Sequence, residues 1–146
     1  MNSIDNLKLR ATEGKQEVFD PVRKKWVAYT PEEHIRQMFI LFLTRNIEVP
    51  LELIAVERGF KGALGKDYRA DIVVYDRNGV PRLLVECKAA DVQITREAVM
   101  QATRYNAIVK AGYLALTNGV KSFLFRTDDF RNYSAVNPFP KYCDWR

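Results

Sequence analysis

Apolar positions recur along this chain in two rhythms. From Thr30 the spacing is helical: Ile35, Met38, Phe39, Phe42 and Leu43 form one stripe, the pattern of a helix that turns one face to a core. Thr30 can cap this helix, Pro31 suits its first turn, and Glu33 completes a T-x-x-E capping box. The stretch from Asn46 to Pro50 ends it. A strand rhythm follows. Leu51–Glu57, RADIVVYD at 69–76 and LLVECKA at 83–89 are rich in Val, Ile and Leu, as in a sheet covered on both faces. RGFKGALGK, with Gly59, Gly62 and Gly65, reads as a flexible connection at 58–66. Thr95 caps a second predicted helix running to about Lys110, with Ala98, Gln101, Ala102, Tyr105 and Val109 on one face. Tyr113–Thr117 and Lys121–Arg126 are strands around an Asn118-Gly119 turn. Residues 7–29 alternate loosely around turn signals at Glu13-Gly14 and Asp20-Pro21, which predicts short strands. The segment from Asp128 to Arg146 has no period and reads as a surface tail.

These elements predict one α/β domain over 1–146, with a core at about 30–127, an N-terminal strand or hairpin extension over 1–29 and a C-terminal tail over 128–146. The expected architecture is a mixed central sheet flanked by helices. The longest apolar run, MFILFL at 38–43, is too short to cross a bilayer. The N-terminus lacks an apolar signal region, so a cytoplasmic location and no membrane partner are expected. The 146 residues are 47% apolar and 28% charged, as in globular proteins. A net charge of +5 is compatible with nucleic acid without being diagnostic. Arg23-Lys24-Lys25-Trp26 is the densest basic cluster and reads equally as a phosphate-contacting edge or a solvated strand. With one histidine, two cysteines and no Cys-x-x-Cys, a zinc site is not expected. There is no G-x-x-x-x-G-K-[ST] phosphate loop.

Chemistry concentrates at the strand-like segments 69–76 and 83–89. Asn78-Gly79 between β-branched runs signals a two-residue hairpin loop. That register sets Arg77 opposite Val80, Asp76 opposite Pro81, and Asp71 opposite Glu86. Lys88 shares the face of Glu86, since side chains alternate. Two carboxylates opposite each other repel, a conflict that a divalent cation would relieve. Mg²⁺ binds through one or two carboxylates and keeps several waters, and the backbone carbonyl of Cys87 could add an oxygen. Lys88 could then orient or deprotonate a water, or stabilise charge developing on a phosphate. The plainer alternative is a cross-strand salt-bridge cluster. Arg69, two residues before Asp71, is a candidate phosphate contact.

The set resembles the PD-(D/E)xK nuclease superfamily. More closely, it is similar to the N-terminal nuclease domain of the restriction subunit of type I restriction enzymes. TPEEHIRQ at 30–37, RADIVVYD holding Asp71, LLVECKA holding Glu86 and Lys88, Gln101-x-x-x-Tyr105 and Thr117-Asn118-Gly119 carry the resemblance. The usual proline before the aspartate is Ala70 here. The resemblance implies a restriction-endonuclease-like αβββαβ core and a Mg²⁺- or Mn²⁺-dependent DNA endonuclease. Asp71, Glu86 and the Cys87 carbonyl would act as metal ligands, and Lys88, Glu33, Gln101 and Tyr105 as further active-site groups. Glu33, Glu32 and Glu57 remain alternatives for the third acid, and a cap alone would explain Glu33. Arg69, Arg23, Lys24 and Lys25 are the candidate DNA contacts. The expected partners are DNA, a helicase, translocase or other restriction subunit, and a second copy in a homodimer. The chain is too short to include a translocating motor and reads as a free-standing relative. The runner-up is a non-catalytic nucleic-acid-binding or partner-dependent module on the same fold.

Overall fold

The computed structural model describes residues 7–145; residues 1–6 of the expected N-terminal extension, and Arg146, lie outside the described residues. Three short strands come first: β1 (Leu9–Thr12), β2 (Lys15–Asp20) and β3 (Lys25–Ala28), joined as an antiparallel sheet. Thr12 pairs with Lys15 across a two-residue loop, and both loop residues, Glu13 and Gly14, have positive φ. That is the type I′ conformation. Helix α1 (Pro31–Arg45) follows, capped by Thr30, whose hydroxyl accepts from the Glu33 N–H at 3.1 Å. Leu51–Leu53 forms a single 3₁₀ turn, where the sequence pattern predicts strand. Strands β4 (Ile54–Lys61), β5 (Asp67–Tyr75) and β6 (Pro81–Cys87) are antiparallel. Helix α2 (Arg96–Val109) crosses over to β7 (Tyr113–Thr117), which pairs parallel with β6, as a crossover helix permits. β8 (Ser122–Arg126) and β9 (Ser134–Ala135) complete a six-stranded mixed sheet in the order β4-β5-β6-β7-β8-β9.

The sheet is covered on both faces. Phe39, Ile40 and Leu43 of α1 pack with Ile72, Val74, Leu83 and Val85. On the other side, Ala102 and Val109 of α2 pack with Ala70, Val73, Leu84, Leu114 and Leu116. The aperiodic tail does more than lie on the surface. Phe139, Tyr142 and Trp145 pack against the α1-side core, and the Tyr142 N–H donates to Ile47 O at 2.8 Å. Large aromatic side chains find burial here without any period of their own.

Two local expectations are corrected. The glycine-bearing stretch is not a flexible connection: β4 runs through it to Lys61, because its backbone pairs with β5 as far as Lys61–Asp67. Nor does Asn78-Gly79 form a two-residue loop. Asp76 Oδ1 accepts from the N–H groups of Asn78 and Val80, the Gly79 N–H donates to Asp76 O, and only Gly79 takes positive φ. The Asp76 N–H donates to Val80 O, closing a loop of three residues, Arg77, Asn78 and Gly79, and Tyr75 pairs with Pro81. An irregularity at Val74/Tyr75 absorbs the extra residue, so Val74 pairs with Leu83 and Ile72 with Val85. The two departures cancel. Asp71 and Glu86 are still the next residues outward in register, as the two-residue loop had predicted.

Candidate active site

β5 changes its facing just before Asp71. Tyr68 and Ala70 belong to the α2-side core, whereas Ile72 and Val74 belong to the α1 side. Strict alternation would put all four on one face. The break coincides with Glu57 on β4, which sits at φ 50° and interrupts the ladder between the Val56–Ile72 and Arg58–Ala70 pairs. Left-handed backbone at a residue other than glycine is uncommon and costs about 1–3 kcal/mol, and such residues cluster at functional sites. At this break the Asp71 carboxylate turns edge-on to the sheet. Its Oδ2 accepts from the Cys87 backbone N–H at 2.9 Å and its Oδ1 from Arg36 Nη2 at 3.1 Å. An extended residue points its N–H and C=O the same way, so the Cys87 carbonyl also faces the Asp71 side.

Glu86 arrives differently. It lies between Val85 and Cys87, which pack on the α1 side, and so turns with Leu84 toward α2. The single flat face read from the sequence is therefore an end-of-ladder cluster, in which Asp71 is edge-on and Glu86 comes from the α2 side. Glu86 is only 7% exposed, and its Oε1 has no hydrogen-bond partner among the described residues. Burial raises its pKa to about 7, opposed by the Lys88 ammonium. The Lys88 N–H donates to Thr117 O at 2.8 Å, which ties the end of β6 to β7. Beyond it, Asn118 Oδ1 accepts from the Val120 and Lys121 N–H groups while its amide donates to Val92 O. The Thr117-Asn118-Gly119 motif thus braces the strand end that carries Glu86 and Lys88.

Of the two carboxylates in conflict, Asp71 is met by Arg36, and a second arginine joins the acids around it. Arg36 of α1 donates to Glu33 at 2.7 Å and to Asp71, and lies 3.5 Å from Glu57. Arg23, in the β2–β3 loop, pairs with Asp20, with Glu33 at 2.8 Å and with Glu57 at 3.5 Å. Burial works against charge on Arg36, but Glu33, Asp71 and Glu57 outweigh it and hold its pKa above the ordinary value. Glu33 is buried, held also by the Gln37 amide. The Thr30 N–H donates to Ala28 O rather than to Glu33, so the expected capping box is not completed: two arginines and Gln37 hold the Glu33 carboxylate inside the network. Arg23 is committed to carboxylates rather than turned outward to phosphate. Lys24, Lys25 and Glu32 are exposed. Arg36 was not singled out from sequence. The available signal was a polar stripe of Glu33, Arg36 and Gln37 at helical spacing, leading into buried Ile40.

On α2, the Gln101 amide donates to Tyr105 Oη at 2.6 Å. The Tyr105 ring stacks on Tyr68 at 4.1 Å, and Tyr68 Oη is buried without a partner among the described residues. Among the described residues there is no group of three or more His, Cys, Asp or Glu placed to hold a metal ion. What the strand end offers is a smaller, all-oxygen set: the Asp71 and Glu86 carboxylates and the Cys87 carbonyl. The unpartnered Glu86 oxygen and the hard character of these donors fit Mg²⁺ or Mn²⁺. The Cys87 thiol is no rival ligand, since burial first, and then Asp71 nearby, raise its pKa well above normal. In the native protein, iodoacetamide at neutral pH is expected to modify exposed Cys143 and spare Cys87. Mass spectrometry should read one adduct per chain, and two after unfolding. Rapid native alkylation of Cys87 would mean that the strand end is open.

A mixed sheet with a helix on each face, in which β5 and β6 part beyond the Ile72–Val85 pair, is the restriction-endonuclease-like fold. The family described as Type I restriction enzyme R protein N terminus (HSDR_N) matches residues 31–140, and the chain belongs to that family. Among solved structures it is similar to the type IIG restriction endonuclease BpuSI, at 19% identity and TM-score 0.54 over 73% of this chain and 13% of that one. The chain thus spans only a small part of that enzyme. It is also similar to a candidate nuclease of the DUF820 family from Anabaena variabilis, at 12% identity and TM-score 0.48 over 87% of this chain and 79% of that one. No curated protein matches the chain. No helix among the described residues is long and apolar enough to cross a membrane.

Proposed function

We propose that this chain is a metal-dependent DNA endonuclease domain that hydrolyses phosphodiester bonds in the setting of a restriction system. The observation that carries the reading is Glu86: a buried carboxylate with an unpartnered oxygen, next in register to Asp71, beside Lys88, in a chain of this family. Asp71, Glu86 and the Cys87 carbonyl would hold Mg²⁺ or Mn²⁺. Bound there, the cation supplies Lewis-acid stabilisation of the phosphate and lowers the pKa of water. The chain's own groups do the rest. Arg36 and the Cys87 N–H fix both oxygens of Asp71. Lys88 orients the attacking water and offers positive charge where it builds up on the phosphate. Water attacks phosphorus in line, the bond to the 3′ oxygen breaks, and that oxygen takes a proton, leaving a 5′-phosphate and a 3′-hydroxyl. Gln101 and Tyr105 position the strand end or the nucleic acid. A DNA substrate, and a helicase, translocase or further restriction subunit as partner, accord with the family.

One observation favours a second reading. Arg36 already neutralises Asp71, as it would in a binding-only or partner-dependent module that uses no metal. A cleavage assay separates the two, with Mg²⁺ and Mn²⁺ on single-stranded, duplex, branched and methylated DNA. Wild type inert on every form would refute a stand-alone nuclease. Metal should also stabilise the fold by mass action: at ten times Kd the gain is about 1.4 kcal/mol, or a few degrees in Tm for a domain of this size. Asp71→Ala should abolish that shift. Calorimetry that shows the same Tm with EDTA and with millimolar metal would count against the site.

A further inference from the structure

The three glycines of the β4–β5 ribbon have different reasons to be glycine. A Cβ at Gly62 would meet the Lys66 carbonyl oxygen at 2.1 Å, and Gly65 sits at φ 75°. Gly59 has neither constraint. Its φ is ordinary, and a Cβ there would meet nothing within 4 Å. Glycine inside a strand weakens it and often marks a place where a ligand or another backbone comes close. Gly59 pairs with Arg69, and Lys61 pairs with Asp67. On the opposite face of this ribbon Phe60, Tyr68 and Ala70 join the α2-side core, and the Arg58 guanidinium lies over the Tyr75 ring. Gly59, Lys61 and Arg69 therefore turn to the other face, where Glu57 meets Arg23 and Arg36. Lys61, Lys66 and Arg69 are exposed and enter no ion pair among the described residues. Residues 59–61 and 67–69 line a shallow concavity of about 480 Å³.

We infer that this face of the β4–β5 ribbon is a docking surface for a DNA backbone, with Gly59 as a bare main-chain seat flanked by Arg69 and Lys61. The inference deepens the proposed nuclease reading and rests on it. The occupant follows from charge: the unpaired cations Lys61 and Arg69 stand against Asp67 on this face, and Arg23 and Arg36 already pair Glu57 there, which suits a polyanion. It follows also from place, since Arg69 is two residues, about 7 Å at strand rise, from Asp71. A phosphate held by Arg69 would lie close to the one presented to the carboxylates. Ribbon contacts to phosphate fix register without reading sequence.

The test is binding of a fluorescein-labelled 30-base DNA, single-stranded and duplex, to the full chain with Ca²⁺ replacing Mg²⁺, over a range of salt. Gly59→Val should keep or raise Tm, because valine suits a strand and the space is open, yet weaken binding at least fivefold. Lys61→Ala and Arg69→Ala should each flatten the slope of log K against log salt by about 0.9. If Gly59→Val fails to fold, Gly59→Ala and the Lys61→Ala/Arg69→Ala pair carry the test, with the same directions expected. A folded Gly59→Val that binds like wild type would overturn the docking surface and leave the nuclease reading intact. So would a loss of binding confined to Lys24→Ala/Lys25→Ala on the N-terminal sheet. Wild type that binds no DNA form at all would overturn both.

Discussion

Lys88→Ala is expected to cut DNA cleavage by about 10²–10³-fold, the loss typical of one electrostatic group acting on the transition state, while DNA affinity stays within about twofold. The asymmetry comes from position. Lys88 is one cation among the 23 Lys and Arg residues of the chain, so its share of the salt-dependent hold on phosphates is small. It is nevertheless the cation that bears on Glu86, at the strand end braced by Thr117. Its charge therefore matters most when charge develops on the reacting phosphate. Lys88→Arg separates charge from position: a planar fork in place of a compact ammonium should restore little activity if the amine must reach one water. Single-turnover cleavage with enzyme in excess reads the chemical step. A mutant that loses affinity and cleavage in equal measure would assign Lys88 to binding alone.

The second large effect concerns stability. In EDTA, wild type is expected to lose up to about 3 kcal/mol relative to Glu86→Gln as pH rises from about 4.5 to above 7. The sign follows from the pKa, which burial raises from 4.5 to about 7. A carboxyl whose folded pKa lies above its unfolded value contributes its full stability below the unfolded pKa, and that contribution is lost as pH climbs through the folded one. Neutral Gln carries no such penalty, so the variant should be the more stable protein at pH 8. Urea unfolding at pH 5 and pH 8 measures it. Millimolar Mg²⁺ or Mn²⁺ should erase the difference, because ionised Glu86 then has a counter-charge. Parallel pH profiles for the two proteins in EDTA would show that Glu86 ionises freely in the fold.

The helices were legible because their signals are local. Thr30 and Thr95 cap α1 and α2 as their positions predict, and Tyr113–Thr117 matched its strand bounds. The Asp71–Glu86 register was also legible, although through two errors that cancel. Asp76 competes for the turn N–H groups with a side chain that no strand pattern weighs, and the ladder irregularity then restores the count. The rest was carried by contacts distant in sequence. The stretch from Arg58 to Lys61 becomes strand only because β5 lies beside it. Arg36 and Arg23 acquire their roles from carboxylates 35 and 34 residues away. The break in alternation at Ala70–Ile72 depends on the backbone of Glu57 in the neighbouring strand, so alternation along β5 alone assigns Asp71 to a face it does not occupy.

The ion network around Arg23 and Arg36 is not electroneutral. Asp20, Glu33, Glu57 and Asp71 bring four negative charges to two guanidinium groups. The surplus of two equals what a single divalent cation carries. A surplus held partly out of solvent projects a field that concentrates cations and repels phosphates. Monovalent salt can screen it but cannot match it at one point. Nucleic acid approaching this end of the sheet would meet a repulsive centre set within a basic chain, so affinity for DNA and occupancy by a divalent ion are expected to be coupled through charge even where they share no ligand.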